Sequence, residues 1–218
     1  MVNKVVIPSA MFKAFNVCAG NKDIRPYLNG ICLELSSIPD YSSYMVATDG
    51  HRLLFSVINP NWVDVKTSGE YIIPRDLCEA IAKIGKGKQS VDITLEFNLN
   101  DDGFSAGGGG LFLVSKVITG YQFPDWRRVV DSLKNLPESV GNYNLEYMGD
   151  MYKVAKYLDP ICSKSVPSYK TMNDSSLFEF GDSGVMGVLM GYRKWDAPKH
   201  PYISARIKLE RESNHGKT

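Results

Sequence analysis

The sequence predicts an α+β fold built from one unit used three times. Three observations carry this expectation. Three successive stretches each read strand, helix, then three strands, over about 55 to 65 residues apiece. Apolar spacing switches along the chain between the helical period and the period of two that marks a strand. The three helices start just after strands that end in Ile-Pro, Ile-Pro and Met-Gly.

In the first unit Lys4 to Ile7 is a short strand. Ser9 to Gly20 sets Met11, Phe12, Phe15 and Cys18-Ala19 at helical spacing, with Ser9 as N-cap and Gly20 as the stop. Gly30 to Leu35, Tyr44 to Thr48 and His51 to Ile58 follow as strands. Between the last two lies Asp49-Gly50, a strong hairpin signal, because Gly takes a positive φ at no steric cost. A hairpin alone does not require the polar flank of Thr48, His51 and Arg52.

The second unit repeats the order. Glu70 to Ile73 is a strand, and Pro74 to Ile84 is a helix with Pro in its first turn. Val91 to Phe97, Gly103 to Ala106 and Gly110 to Ile118 are strands. The glycines at 107–110 lead into a strand with no Lys or helix behind them, so they read as a hairpin turn rather than a phosphate cradle. Gly120 to Val130 is an aromatic, polar linker packed on a surface, with Pro124 barring a helix at its start. In the third unit Tyr143 to Tyr147 is a strand and Gly149 to Leu158 a helix. Tyr169 to Thr171, Ser176 to Phe180 and Gly184 to Tyr192 are its three closing strands.

Composition narrows the function. The chain has 218 residues, 44% hydrophobic and 22% charged, which fits a soluble protein of one large or two small domains with a sizeable core. No apolar run reaches the ~18 residues of a membrane span, and the start of the chain lacks a signal-peptide pattern. Cys18, Cys32, Cys78 and Cys162 are scattered, which points to buried thiols in a reducing compartment, the cytoplasm. His51, His200 and His215 have no Cys or Glu at ligand spacing. Neither a nucleophile elbow nor a carboxylate pair with a base is evident. The expectation is a protein with no catalytic residues, no metal and no cofactor. The net charge of +1 hides a basic end: seven Lys or Arg against three acids from Arg193 onward. Any nucleic-acid contact therefore needs a local basic surface.

RPYLNGICLEL at 25–35, ATDGHRLL at 47–54 and YQFPDWRRVV at 121–130 resemble, in order and spacing, the middle domain of the bacterial sliding clamp, the beta subunit of DNA polymerase III. GVLMGYR at 187–193 is similar to that family's C-terminal end, which usually reads V-M-P-M-R; Gly191 stands for its Pro and Tyr192 for its Met. The resemblance covers residues 3–193. It implies the DNA-clamp (processivity) fold, with helices on one face and antiparallel sheets on the other. Residues 1–130 would be a complete clamp domain and 131–193 half of another, with 194–218 a basic C-terminal extension. A family chain has three domains of two units each. This chain shows three units, with no match to the first domain or to the first half of the third.

The resemblance implies a ring around duplex DNA that tethers polymerases and catalyses nothing. Candidate phosphate contacts are Lys13 and Arg25 in the first unit, Arg75, Lys83, Lys86 and Lys88 in the second, and Lys153 and Lys156 in the third. Tyr27 matches a family aromatic near DNA. The family's partner groove takes short peptides of polymerases and repair proteins. Carried over by position it is Leu28, Thr48, Gly50, His51, Arg52, Leu53, Pro124, Arg128, Val129, Val188, Leu189, Met190 and Arg193, with Ser176 at a different spacing. Leu, Val and Met would give an adaptable apolar floor. A clamp loader is a further implied partner, and no membrane is involved. With three units per chain, a twelve-unit ring takes four copies. The expected homo-oligomer is a two-fold-symmetric tetramer in which third units meet third units and first units meet first units. The small size fits a plasmid or phage-like element. The alternative is a clamp-like peptide-binding decoy or adaptor that never closes a ring and acts on a host replisome.

Overall fold

Pro8 and Pro74 each end a strand and cap the helix that follows, in the extended conformation a first-turn entry needs. In the computed structural model, which describes residues 2–84, 90–133, 143–159, 166–172 and 175–191, these two junctions repeat the same turn from sheet to helix. β1 (Val2–Pro8) leads into α1 (Ser9–Phe15). β2 (Gly30–Leu35), β3 (Tyr44–Thr48), β4 (Arg52–Val57) and the short β5 (Val63–Asp64) follow. β6 (Gly69–Pro74) leads into α2 (Arg75–Ala82), then β7 (Asp92–Asn98), β8 (Gly103–Gly108) and β9 (Leu111–Lys116). α3 (Trp126–Leu133) and α4 (Leu145–Leu158) precede β10 (Ser168–Met172), β11 (Ser175–Glu179) and β12 (Val185–Met190).

The strands form two antiparallel sheets, ordered β5-β1-β7-β8-β9 and β10-β11-β12-β4-β3-β2-β6. The units exchange their first strands. β1 pairs along its whole length with β7 of the second unit, and β6 pairs with β2 of the first. The third unit extends the first unit's sheet, β12 lying antiparallel to β4.

Two apolar layers explain the burial pattern. One holds Phe12 and Phe15 of α1, Cys78 and Ile81 of α2, and Met151 and Val154 of α4 against the inner faces of both sheets. α1 packs on both α2 and α4. The other layer lies on the opposite face of the seven-stranded sheet. There Phe123, Trp126 and Leu133 cover Cys32, Val46, Leu53, Phe55, Ile72 and Val188. Strands β2, β3 and β4 are thus buried on both faces and read as near-continuous apolar runs, while β7 alternates.

Several sequence expectations are corrected. Tyr143 to Tyr147 is not a strand: α4 starts at Leu145, capped by the Asn144 side chain, which accepts from the Glu146 N–H. The 120–130 linker becomes helical at Trp126, two residues past Pro124, and α3 lies on the face away from the other helices. Ser9 is the first helical residue rather than the cap; its Oγ instead accepts from the Val91 N–H. The α1 cap is Pro8 and the helix ends at Phe15, with Gly20 donating its N–H to Leu28 O beyond it. The glycines at 108–110 do form the β8–β9 hairpin, all with positive φ. β1 to β4 are all interior strands, while β5, β9, β10 and β6 end the two sheets. Lys86, Lys88, Tyr192, Arg193 and the basic extension 194–218 lie outside the described residues.

Candidate functional site

The turn at 49–51 is built around one carboxylate. Asp49 Oδ1 accepts from the backbone N–H groups of His51 and Arg52, both at 2.8 Å, and Oδ2 accepts from Arg52 Nε and Nη2. Thr48 Oγ1 donates to Arg52 O at 2.7 Å and accepts from Gly50 N. Gly50 has φ +90°, a conformation an L side chain rarely adopts. The residues that looked superfluous for a hairpin therefore close it.

Arg52 extends the network. Its side chain is 10% exposed, ion-paired with Asp49 and with Asp150 of α4, and its guanidinium lies 4.4 Å from the centre of the Tyr147 ring. The His51 ring stacks on the same Tyr147, centroids 5.8 Å apart. Asp150 also holds Lys153 at 2.6 Å. On the strand side, Met190 N–H donates to His51 O at 2.9 Å, which fixes the end of β12 against the turn. Gly187 permits that seam: a Cβ there would meet Leu54 Cδ2 at 2.9 Å.

A cleft of about 270 Å³ opens at this junction. Its floor and walls come from four places: the 3-10 turn at Pro26–Leu28, the β3–β4 turn, the linker entering α3, and β12. Of the groove residues expected from sequence, Leu28, Thr48, Gly50, His51, Arg52, Leu53, Pro124, Val129, Val188 and Met190 line it. Three described ones do not. Leu189 points into the inner core, Arg128 is exposed beyond the lining of the cleft, and Ser176 is buried with its Oγ bonded to Tyr143 and Thr171. Four lining residues were not expected there. The resemblance places Arg25 and Tyr27 at DNA, and it does not mark Asp125 and Trp126, although they adjoin Pro124.

Charge sits on the cleft's rim. Arg25 is held by a bidentate pair with Asp23, whose carboxyl is pulled down to about 2 by that guanidinium, and Arg25 Nη2 donates to Asp49 O. Trp126 is pinned by its Nε1–H donating to Glu34 Oε1 at 2.7 Å, while Arg127 bonds the other carboxylate oxygen. Its ring centroid lies 4.9 Å from that of Phe55 and 5.3 Å from that of Tyr44. The site thus offers an apolar trough of Leu28, Leu53, Val129, Val188 and Met190 with fixed cations at its edge. Behind it, burial pushes the Cys18 thiol well above its ordinary range.

The cations proposed for DNA fall into two groups. Lys13, Lys83, Lys153 and Lys156 are exposed on α1, α2 and α4 or at their ends. Lys13 lies over the Tyr157 ring at 4.6 Å. Arg75 instead turns inward, donating to Ala19 O and Gly20 O and pairing with Glu79. Among the described residues no group of His, Cys, Asp and Glu is arranged to hold a metal ion, and no helix is long and apolar enough to cross a membrane.

The fold is that of the bacterial sliding clamps. The chain is similar to the DNA polymerase sliding clamp of Pseudomonas aeruginosa with ligand (TM-score 0.63, 17% identity, 87% of this chain and 66% of that one). It is also similar to a Bartonella birtlesii DnaN sliding clamp bound to griselimycin (0.59, 19%, 87% and 66%) and to Caulobacter crescentus pol III beta (0.61, 18%, 87% and 65%). Residues 5–125 match the family described as DNA polymerase III beta subunit, central domain, and the chain belongs to that family. Comparison with curated protein sequences finds no match. The chain spans just under two thirds of the length of these solved clamps.

Proposed function

We propose that the chain is a sliding clamp: copies of it close into a ring on duplex DNA, and the cleft tethers polymerases and other proteins by short apolar peptides. In this reading it catalyses nothing and works in the cytoplasm, with a loader to open the ring. Residues 1–130 act as a full clamp domain, 131–193 as a half domain and 194–218 as a basic extension. A ring of twelve units takes four copies of this sequence. The single observation that carries the reading is the cleft, an apolar trough held by a hydrogen-bonded turn where a sheet is shared between the first and third units. On the opposite side of that sheet α1, α2 and α4 share one core, and Lys13, Lys83, Lys153 and Lys156 offer the local basic surface that phosphates require.

A second reading draws on the fact that one chain alone forms the cleft. A decoy or adaptor would need nothing more. Both readings share the peptide site, so the site is tested first. Griselimycin, bound by the clamps of P. aeruginosa and B. birtlesii in their solved structures, is the probe. Calorimetric titration is expected to give saturable one-to-one binding. Met190→Ala and His51→Ala should each weaken it about five- to ten-fold, the loss of ~1 kcal/mol of apolar or ring contact. No binding, or equal affinity in both variants, would contradict the assignment.

A further inference from the structure

One sheet edge is left bare where the chain itself shows how such an edge is closed. β4, β9 and β12 are the closing strands of the three units. Inside the chain β4 and β12 pair antiparallel, with Val188 opposite Leu53 and Met186 opposite Phe55. β9 is the third closing strand and ends the five-stranded sheet, pairing among the described residues with β8 alone. Among the described residues no strand lies on its other side. Its outer face carries Phe112 at 72% exposure and Val114 at 73%. Leu111 and Leu113, on the core face opposite Gly108 and Ala106, are only half-buried. The strand has no Pro, and its one charge, Lys116, stands at the end and is paired with Asp102. An edge with so little protection is a pairing surface.

We infer that β9 pairs with β9 of a second copy of this chain, antiparallel about a two-fold axis at Leu113. This deepens the ring reading by naming one of its joints. The register follows from geometry. Directly opposed residues of an antiparallel pair share a face. Centring on Leu113 sets Phe112 opposite the second copy's Val114, and Val114 opposite its Phe112, so both exposed apolar residues are covered. Centring on Phe112 would oppose Val114 to Gly110 and leave it bare. Centring on Val114 would set Lys116 against Phe112. With Leu113 at the axis, Lys116 faces Gly110 and no like charges meet. The joint is isologous and closes on itself. It uses the same kind of strand as the β4–β12 seam.

The test is a single cysteine at the axis. Leu113→Cys, in the full chain, meets its own copy at the ~4.5 to 5.5 Å Cα spacing of opposed strands, inside the disulfide range. Mild oxidation is expected to give a covalent dimer on a non-reducing gel. Phe112→Cys and Val114→Cys alone should give none above the wild-type background, and the two mixed together should. Phe112→Asp is expected to halve the mass seen by light scattering while griselimycin affinity stays the same, since Phe112 is on the surface. A Leu113→Cys variant that stays monomeric on oxidation, or an unchanged mass for Phe112→Asp, would overturn the joint. So would a wild type that is monomeric because β9 pairs with its own chain. Retention on circular DNA without the cross-link would sink the joint and spare the ring. The cross-link without retention would do the reverse.

Discussion

The Arg52 guanidinium meets the Asp150 carboxylate across 98 residues of sequence and ties the rim of the cleft to α4. Asp49 and Asp150 are mostly shielded and share this cation, Asp150 with Lys153 as a second partner. Arg52→Ala leaves two carboxylates without it and should cost on the order of 2 to 3 kcal/mol in urea unfolding. Arg52→Lys keeps the charge but loses the two-pronged grip on Asp49, so an intermediate loss is expected. Wild-type stability in Arg52→Ala would show that the network carries no weight.

Trp126 anchors α3 and forms one wall of the cleft. Trp126→Ala should cost ~3 kcal/mol through the cavity it leaves and weaken griselimycin at the same time. Trp126→Phe keeps most of the apolar contact and loses the bond to Glu34, which Arg127 still holds, so ~1 kcal/mol is expected. Thermal and urea unfolding of the pair separate packing from hydrogen bonding.

Arg25 holds the Asp23 carboxyl at about 2 through hydrogen bonds to its side chain and backbone. A depressed folded-state value means the pair's contribution is whole above the ordinary carboxylate range. It is lost as the pH falls from about 4 toward 2. Carbon-13 NMR of the Asp23 carboxyl should therefore titrate near 2, and rise in Arg25→Gln, which loses the guanidinium and keeps the backbone hydrogen bond. A normal midpoint in the wild type would mean that Arg25 is free to leave the rim.

Burial pushes the thiols of Cys18, Cys32 and Cys78 upward, which suppresses the reactive thiolate. These three should resist a thiol reagent at pH 8 in the native protein and react together on unfolding. Mass spectrometry of labelled peptides reads each one. Rapid native labelling of Cys18 would show that the core behind Arg52 opens.

Most strands were legible because two-fold alternation and the Asp49-Gly50 and Gly-rich turns are local signals. Strand exchange was not, because nothing in the period of β1 or β6 says which unit each will join. α3 was hidden by Pro124, which restricts only its immediate neighbourhood, while the Trp126, Val129, Val130, Leu133 stripe continues as a helix. The start of α4 was readable from Asn144, a capping residue, but the aromatic Tyr143 and Tyr147 mimicked a strand. In the cleft, motif positions located the turn and β12. Arg25 and Tyr27 read as phosphate contacts because a basic-aromatic pair suits that role; only the fold brings them beside Gly50 and into the lining of the cleft.

A ring closed on DNA is held by topology, and cutting the DNA releases it. The protein, loaded onto a nicked circular plasmid and passed through a sizing column, is predicted to stay with the circle and to be lost once one restriction cut makes the plasmid linear. Failure to stay on either form, with griselimycin binding intact, would contradict the clamp reading and leave a peptide-binding decoy or adaptor.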